Sequence, residues 1–367
     1  MIGAGLVGSA CAWALQRRGH RVTLLDPAAD PAAGRLPALG VLMGRVFHRS
    51  SGRAWRLRQR SLTLWRQWRR ELMLQGVPLH FRPGLLLLAG DEEALRRQAS
   101  LLRQPGRERS GLEIWSRARL ARQRPALPPE AVGGLYSPGD GWLEPSAARR
   151  SLLADARRRG LATVRGSARQ LSRRDRSWRI GLVEGGGLEA EWLVLCAGQG
   201  SAALLTGLGI ERPLEPVLGQ ALALELQPRP AAWTWPGAVA WQGINLVPRA
   251  DLQGGGGLWL GATLEPGRHA DPMALERLRR LADSGPAWLR GAVEVEHWQG
   301  IRPRPLGRAA PLLEAVADRL LLADGHYRNG VLLTPASAAW VVEQVENGSE
   351  TRGDPQPPLN GGAVSGP

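Results

Sequence analysis

The chain has 367 residues, with 48 Lys+Arg against 33 Asp+Glu, for a formal net charge of +15. Every basic residue is arginine, so the chain lacks the Schiff-base lysine of pyridoxal-phosphate enzymes and the P-loop lysine of nucleoside triphosphatases. Its two cysteines, Cys11 and Cys196, supply neither a disulfide framework nor a cysteine-based zinc site, and we predict no metal centre.

The excess of arginine has two interpretations. A basic surface is typical of nucleic-acid-binding proteins. The chain also has 15 Trp beside two Phe and two Tyr, which is the composition that a GC-rich genome produces. We attribute the charge to this bias and do not expect a nucleic-acid partner. The apolar start of the chain precedes Arg17 and Arg18, the reverse of a secretory signal, so we expect a cytoplasmic protein without a membrane span.

The start of the chain has the pattern of a dinucleotide-binding unit. Gly3-Ala4-Gly5-Leu6-Val7-Gly8 is followed by residues of helical composition, by a buried strand at 21–25 and by Asp26. In such a unit the first glycine makes a tight turn, the second lets the backbone approach the pyrophosphate, and the third lets the helix pack on the strand. The helix N-terminus binds the pyrophosphate, and the acid binds the ribose hydroxyls and disfavours NADP.

The first strand of this unit is almost absent from the sequence. Only Met1 and Ile2 precede Gly3, whereas a central strand usually has about 5–6 residues. We therefore expect the natural protein to begin several residues upstream.

The rest of the chain alternates between helical and strand patterns. Helical periodicity predicts helices at 51–76, 146–159 and 334–347. Strand patterns are found at 78–90, 112–116, 190–200, 214–265 and 319–323. The fourth of these predicts antiparallel strands that include a hairpin, 244–249 with 258–263. Gly198 follows a buried strand, where a glycine allows a ligand to approach closely. Residues 349–367 are polar and rich in Pro and Gly, so we expect a disordered tail.

Taken in order, several short motifs resemble the D-amino-acid oxidase superfamily of FAD-dependent oxidoreductases, and most of all its glycine-oxidase-like branch. The similarity extends over nearly the whole chain. The matching stretches are Gly3–Gly8 with Asp26, Gly139–Pro145, Leu195–Gly198, Pro216–Gln220, Val247–Arg249, Gly261–Glu265, Gly300–Pro303 and Gly325–Gly330.

The resemblance implies an α/β plus α+β fold. A discontinuous Rossmann-like FAD-binding domain would comprise residues 1–77, 133–213 and 297–348, and an antiparallel-sheet substrate domain would comprise residues 78–132 and 214–296. Relatives that attach the flavin covalently use a cysteine in the C-terminal third, which this chain lacks, so we expect noncovalent FAD. The residues that match the segment against the flavin are Gly325, His326, Tyr327, Arg328, Asn329, Gly330, Val331 and Leu332.

The resemblance also implies a substrate site. Arg302 and Arg328 match the arginines that hold the substrate carboxylate, and a guanidinium fork suits a carboxylate because it forms two parallel charge-assisted hydrogen bonds. Asn245 stands where the branch has a tyrosine, which removes a phenol from the pocket and calls into question whether glycine is the substrate. The loop after Arg302-Pro303 also departs from the family pattern, which leaves the electron acceptor open.

These features predict oxidation of a small amine or amino acid by hydride transfer to flavin. The products would be an imine, then an oxo acid and ammonia, with hydrogen peroxide if oxygen is the acceptor. Three alternatives remain: an amino-acid dehydrogenase that uses another acceptor, a flavoenzyme acting on a modified tRNA base, and a flavin protein without turnover. Relatives are often dimers or tetramers, so a homo-oligomer is one expected assembly.

Overall fold

The computed structural model describes residues 1–28, 30–33, 36–47, 50–104, 110–249, 251 and 255–348. The helices are α1 (Leu6–Arg17), α2 (Gly52–Leu74), α3 (Glu92–Ser100), α4 (Arg117–Leu120), α5 (Pro145–Arg158), α6 (Gln199–Thr206), α7 (Pro272–Arg279) and α8 (Gly330–Glu346). Short 3-10 turns span Leu101–Arg103, Ala287–Gly291 and Tyr327–Asn329.

The strands are β1 (Thr23–Asp26), β2 (Val41–Leu42), β3 (Phe81–Ala89), β4 (Glu113–Ser116), β5 (Gly133–Leu143), β6 (Ala162–Arg165), β7 (Ala168–Arg174), β8 (Ser177–Leu182), β9 (Gly187–Ala190), β10 (Leu193–Leu195), β11 (Leu214–Glu225), β12 (Ala238–Trp241), β13 (Ile244–Arg249), β14 (Gly257–Gly261), β15 (Glu265–Pro266), β16 (Val293–Pro305), β17 (Leu312–Ala317) and β18 (Leu320–Asp324).

The first layer is a mostly parallel sheet. β1 pairs in parallel with β6, β10 pairs in parallel with β18, and β17 adds to β18 in the antiparallel direction. Neighbouring residues of each central strand belong to opposite cores, because successive side chains point to opposite faces. Val194 packs among α1, α2, α5 and α8, whereas Leu195 packs towards α6 and the small antiparallel sheet β7-β8-β9.

Ile2 connects the two halves of this sheet. It forms isolated parallel bridges with Leu195 on one side and with Leu25 on the other. Its N–H donates to the Val194 carbonyl at 2.9 Å, and its carbonyl accepts from the Cys196 N–H at 2.8 Å. The short first strand is therefore represented by one bridged residue in the centre of the sheet.

The second layer is a ten-stranded sheet with the order β15-β11-β14-β13-β12-β3-β5-β2, to which β16 adds at β11 and β4 adds at β5. Its pairs are antiparallel except for β12 with β3. One face carries a core that includes Leu120, Leu278 and Leu281, and the other face packs against Leu39 and Val46, which flank β2. This architecture confirms the predicted fold class.

Several local predictions need correction or remain untested. The polar segment after β3 contains the helix α3, and α8 begins at Gly330 rather than at Thr334, because the chain coils directly out of the preceding 3-10 turn. The predicted domain boundaries stay a prediction; β16 runs across the one at residue 297. The proposed tail, 349–367, lies outside the described residues. No helix in the described part of the chain is long and apolar enough to cross a membrane.

Candidate cofactor and substrate site

The glycines of the N-terminal motif have three different surroundings. Gly3 has a φ of +96°, and a Cβ there would lie 2.4 Å from the Cys196 carbonyl oxygen. A Cβ at Gly8 would lie 1.9 Å from the Gly3 carbonyl oxygen, so α1 packs directly on the turn. A Cβ at Gly5 would meet nothing within 4 Å. Two glycines therefore permit close packing, and the third leaves open space beside the backbone.

The N-terminus of α1 is available to an anion. Gly5 is its N-cap residue and has no side chain to cap the helix, and the first turn has no acidic residue. The first N–H groups of a helix have no partner inside the helix, and together with the helix dipole they attract phosphate. The Leu6 side chain is buried in the core and Val7 packs against it, so these two residues can serve an anion only through their backbone.

Asp26 lies against the same turn. Its Oδ2 accepts from the Ala4 N–H at 2.7 Å, and its Oδ1 accepts from the Ala28 N–H at 2.9 Å. Each carboxylate oxygen has a further lone pair with which to accept a hydroxyl donor. The structure thus brings the predicted ribose ligand next to the predicted phosphate site.

Two more predicted segments meet at this end of the sheet. Gly198 has a φ of +59°, and a Cβ there would meet nothing within 4 Å. Ala197, which precedes it, lies beside the Gly3 turn. Gly325 also has a positive φ, +62°, and directly follows β18. The carboxyl ends of parallel strands are where ligands bind in sheets of this kind, which supports one shared site.

Asp324, the last residue of β18, joins these segments, and the sequence interpretation missed it. Its Oδ2 accepts from the Ser201 hydroxyl at 2.5 Å, and its Oδ1 accepts from the Gly325 N–H at 2.7 Å. Burial raises the pKa of this carboxyl to about 6, and hydrogen bonds from Ser201, Gly325 and Gly198 oppose that rise. The sequence signal that could have identified Asp324 was an acidic residue at the end of an otherwise apolar strand.

The segment after Gly325 forms a tight turn, and the side chains of Val331 and Leu332 that follow it pack inward. The Asn329 N–H donates to the His326 carbonyl at 3.0 Å, which closes the turn, and Tyr327 has a φ of +53°. Asn329 and Gly330 are half-buried, whereas Leu332 lies in the core and Val331 packs against it. The strained φ at a non-glycine residue is a feature found at ligand-binding segments.

The His326 side chain points into the protein. Its Nε2 lies 2.7 Å from the Ser337 hydroxyl, which itself donates to the Leu333 carbonyl, so the hydrogen-bond network assigns the ring proton to Nε2. Burial, and secondarily the charge of Arg53, lowers the pKa of His326 to about 4. The ring is therefore neutral at pH 7.

Arg302 extends from β16 across the backbone of β11. Its guanidinium lies over Gly219, where a Cβ would be 2.2 Å from Nη1, and Nη1 donates to the carbonyls of Leu218 and Thr263, both at 3.1 Å. Burial and then the neighbouring charge of Arg328 lower the pKa of Arg302. Among the described residues neither arginine forms an ion pair with a carboxylate, and the charge of Glu265 acts on the pKa of Arg302 in the opposite direction to that of Arg328.

Asn245 lies on the same face of the large sheet as Arg302. In register, Asn245 is opposite Gly261, Gly261 is opposite Ala221, and Ala221 is opposite Trp298, four residues before Arg302 on β16. This face is the one that packs against Leu39 and Val46. The structure thus places Asn245 on the face that carries Arg302, and no hydrogen bond joins the two among the described residues.

Comparison with known proteins identifies the family. The chain matches the FAD dependent oxidoreductase family over residues 1–344. It belongs to this family. It is 28% identical to the glycine oxidase of Geobacillus kaustophilus over 357 residues, which cover 94% of this chain and 92% of that protein. The crystal structure of glycine oxidase from Geobacillus kaustophilus has a TM-score of 0.82 and 25% identity, with 95% of this chain and 94% of that chain covered.

A third relative is named for a different function. The tRNA 5-methylaminomethyl-2-thiouridine biosynthesis bifunctional protein of Chromohalobacter salexigens is 30% identical over 362 residues, which cover 96% of this chain and 48% of that protein. The comparisons confirm the predicted resemblance, the FAD cofactor and an FAD-dependent oxidoreductase that acts on amine or amino-acid donors. The individual site residues and noncovalent attachment stay predictions.

The described residues fit FAD. The open space at Gly5 and the uncapped N-terminus of α1 suit a pyrophosphate, and Asp26 beside them suits a ribose. In this FAD-dependent oxidoreductase, Gly198 offers a second open backbone position at the same edge of the sheet. The segment 325–330 would contribute backbone N–H groups other than those of Gly325 and Asn329, which already donate to Asp324 and to the His326 carbonyl.

A second group of residues lies behind Arg302, in stretches that the sequence analysis named only as family motifs. Glu265 is buried and accepts from the Asp271 N–H at 2.6 Å, from Gln220 Nε2 at 3.1 Å and from the Thr263 hydroxyl. The Gln220 N–H donates to the Thr263 hydroxyl at 2.7 Å. Because the Thr263 carbonyl accepts from Arg302, this network supports the guanidinium from behind.

Proposed function

We propose that the protein oxidises a small amino acid or amine at the carbon that bears the nitrogen, and that Arg302 and Arg328 hold the substrate carboxylate. The observation that carries this proposal is the pair of neighbouring guanidinium groups without a carboxylate partner among the described residues. Like charges repel, so an anion that binds both offsets a cost that the free protein bears. The relatives named glycine oxidase support the same substrate class.

The two arginines would do different work. Arg302 is fixed because Nη1 donates to two carbonyl oxygens, which sets the plane of its guanidinium. Arg328 is exposed and follows Tyr327 in the segment expected against the flavin. A fixed fork and an exposed one can bind a carboxylate from two sides, which orients the α-carbon and reduces the entropy cost of reaction.

Bound FAD supplies the hydride acceptor, and the protein supplies position and a water-poor site. The substrate amine is neutral when hydride leaves the α-carbon, and the resulting imine takes up water to give an oxo acid and ammonia. Oxygen is our proposed final acceptor, with hydrogen peroxide as its product. His326 takes no proton in this scheme, because its ring is buried and bound to Ser337.

The first experiment is an absorbance spectrum of the purified holoprotein before and after anaerobic addition of single amines and amino acids. Bleaching of the flavin bands by an amino acid, but not by the matching amine without a carboxylate, would support the proposal. Bleaching by the amine alone would contradict the role of the arginines. Air would then distinguish an oxidase, which returns to the oxidised spectrum and releases peroxide, from a dehydrogenase that needs another acceptor.

A second candidate function is supported by one relative. Because the bifunctional tRNA-modifying protein matches 96% of this chain, a flavoenzyme acting on a modified tRNA base stays an alternative. Electrostatic binding of nucleic acid weakens as salt rises. Salt-sensitive binding of tRNA by the purified holoprotein would favour this candidate, and absence of binding at low salt would exclude it.

A further inference from the structure

The two glycine turns of the cofactor site come from distant parts of the chain and meet at one side chain. Gly198 follows β10, and Gly325 follows β18. Asp324 is 5% exposed, and its two carboxylate oxygens accept separately from Ser201 and from Gly325. The Ser201 hydroxyl in turn accepts from the Ala197 N–H at 3.1 Å.

These contacts make Asp324 the common anchor of both turns. The Gly325 N–H donates to one oxygen, the Ser201 hydroxyl donates to the other, and the Gly198 N–H faces the same carboxylate. Parallel pairing of β10 with β18 brings the strands together, but it ends at Leu195 and Leu322. Beyond those residues the two turns are joined to each other through hydrogen bonds to the carboxylate rather than through pairing of β10 with β18.

A carboxylate suits this task for a physical reason. Hydrogen bonds to an ionised acceptor are stronger than those between neutral groups, and one carboxylate can accept several donors at once. An ionised group in a buried place is costly unless such donors surround it. The donors and the carboxylate thus depend on each other, so that changing Asp324 releases both turns together.

We propose that Asp324 is a positioning residue for FAD, which fixes the Gly198 turn and the Gly325 turn relative to each other before the cofactor binds. This inference rests on the assignment of both turns to the cofactor site in the proposed function. It adds a residue that acts through the backbone of others and that does not itself touch the substrate.

The test compares the full chain with two variants after removal of FAD. Asp324→Asn keeps the shape but removes the charge and places an N–H₂ donor where an acceptor is needed. Asp155→Asn is the matched control, because Asp155 is 2% exposed and accepts from Trp13 and Arg159, far along the chain from either turn. Each protein is examined by FAD titration, thermal unfolding and hydrogen exchange of peptides covering 197–201 and 325–330.

We expect Asp324→Asn to raise the dissociation constant of FAD by about tenfold or more, since a lost hydrogen bond to a charged group has that order of effect. Exchange should rise in both turns of the FAD-free protein. Asp155→Asn should lower the unfolding temperature without either change. Unchanged FAD affinity with a lowered unfolding temperature would overturn the proposal, as would faster exchange in one turn only.

A gentler variant keeps the test decisive if Asp324→Asn does not fold. Ser201→Ala retains the carboxylate and removes one donor, so exchange should rise at 197–201 and stay unchanged at 325–330. Equal change in both turns, or in neither, would contradict the anchor role. FAD affinity and exchange do not require turnover, so a failure of the proposed amino-acid oxidation would leave this result interpretable.

Discussion

The cofactor end and the carboxylate end of the site are built from different materials. At the cofactor end, glycines and helix N–H groups present backbone, and only Asp26 contributes a predicted side-chain ligand. At the carboxylate end, Arg302 depends on carbonyls from β11 and from the segment after β14, supported by Glu265. A binding site made of backbone groups can be encoded by a few consecutive residues. A binding site made of side chains requires strands that are distant in sequence to pair in the correct register.

The largest effect should come from removing the fixed guanidinium. Arg302→Met should lower kcat/KM for an amino-acid substrate about a thousandfold, because truncating one partner of a buried charge pair costs about 2–5 kcal/mol. FAD content should not change, since the cofactor end does not depend on this side chain. Steady-state kinetics and the flavin absorbance per chain measure both results.

Arg304→Met is the matched control for that change. Arg304 lies two residues farther along β16 and already forms an ion pair with Glu215. It should leave kcat/KM within about threefold of the unmodified protein, in keeping with the small energies of exposed ion pairs. Equal losses in the two variants would mean that the strand, and not the guanidinium of Arg302, sets the activity.

Two glycine substitutions can distinguish the residues of the cofactor end that are needed for packing from those that are needed for FAD binding. Gly8→Ala forces a Cβ against the Gly3 carbonyl oxygen and should destabilise the FAD-free protein by about 1–3 kcal/mol. Gly5→Ala meets open space, so the FAD-free protein should keep its stability while FAD affinity falls by about tenfold or more. Urea unfolding and FAD titration measure these outcomes.

The contrast between those variants would sharpen the assignment of the open space. If Gly5→Ala binds FAD normally, the space beside Gly5 is not where the pyrophosphate approaches. If both variants lose the same free energy of unfolding without FAD, the added methyl at Gly5 meets an obstacle that the structure does not show.

The same contrast explains how much the sequence predicted. The glycine motif, Asp26 and the buried strands are local patterns, so the dinucleotide-binding unit was predicted from consecutive residues, whereas the complete fold class and the segment 325–332 came from the family resemblance. Arg302 and Arg328 were found through the family resemblance, because arginine is too common in this chain to be informative alone. Asp324 and Glu265 were missed, since their partners come from turns and strands that pair only in the folded protein.

Folding stability should depend on pH through two residues at the cofactor end, His326 and Asp324, whose contributions change with pH in opposite directions. The folded pKa of His326, about 4, lies below its ordinary value of 6.5, so folding favours the neutral ring. Its contribution to stability is present above pH 6.5 and is lost as the pH falls towards 4. Over that window the loss approaches about 3 kcal/mol, as 1.36 kcal/mol applies per pKa unit.

Asp324 works in the other direction. Its folded pKa of about 6 lies above the ordinary value of 3.8, so its contribution to stability is present below pH 3.8 and is lost as the pH rises towards 6. The contribution of His326 is tested by urea unfolding of the FAD-free protein at pH 4.5 and 7.5. Because glutamine has no proton to take up, His326→Gln should gain stability at pH 4.5 relative to the unmodified protein. An identical pH dependence in the two proteins would place the titrating group elsewhere.

The last predicted effect concerns the helix that follows the flavin segment. Pro335 lies inside α8 and has no N–H to donate to the Val331 carbonyl one turn earlier. The indole N–H of Trp65, from α2, donates to that carbonyl at 3.1 Å instead. A side chain from a neighbouring helix therefore completes a hydrogen bond that the sequence of α8 cannot make.

Trp65→Phe should destabilise the FAD-free protein by about 1–3 kcal/mol more than Trp68→Phe, because only the first leaves a partly buried carbonyl without its donor. The two indoles are each 4% exposed and contact each other edge to face, so their burial is matched, and Trp68 has an additional edge-to-face contact with Trp13. Equal losses in urea unfolding would mean that packing alone holds α2 against α8. A larger loss for Trp65→Phe would show that even a backbone-built cofactor end relies on one distant side chain, which narrows the contrast with the carboxylate end.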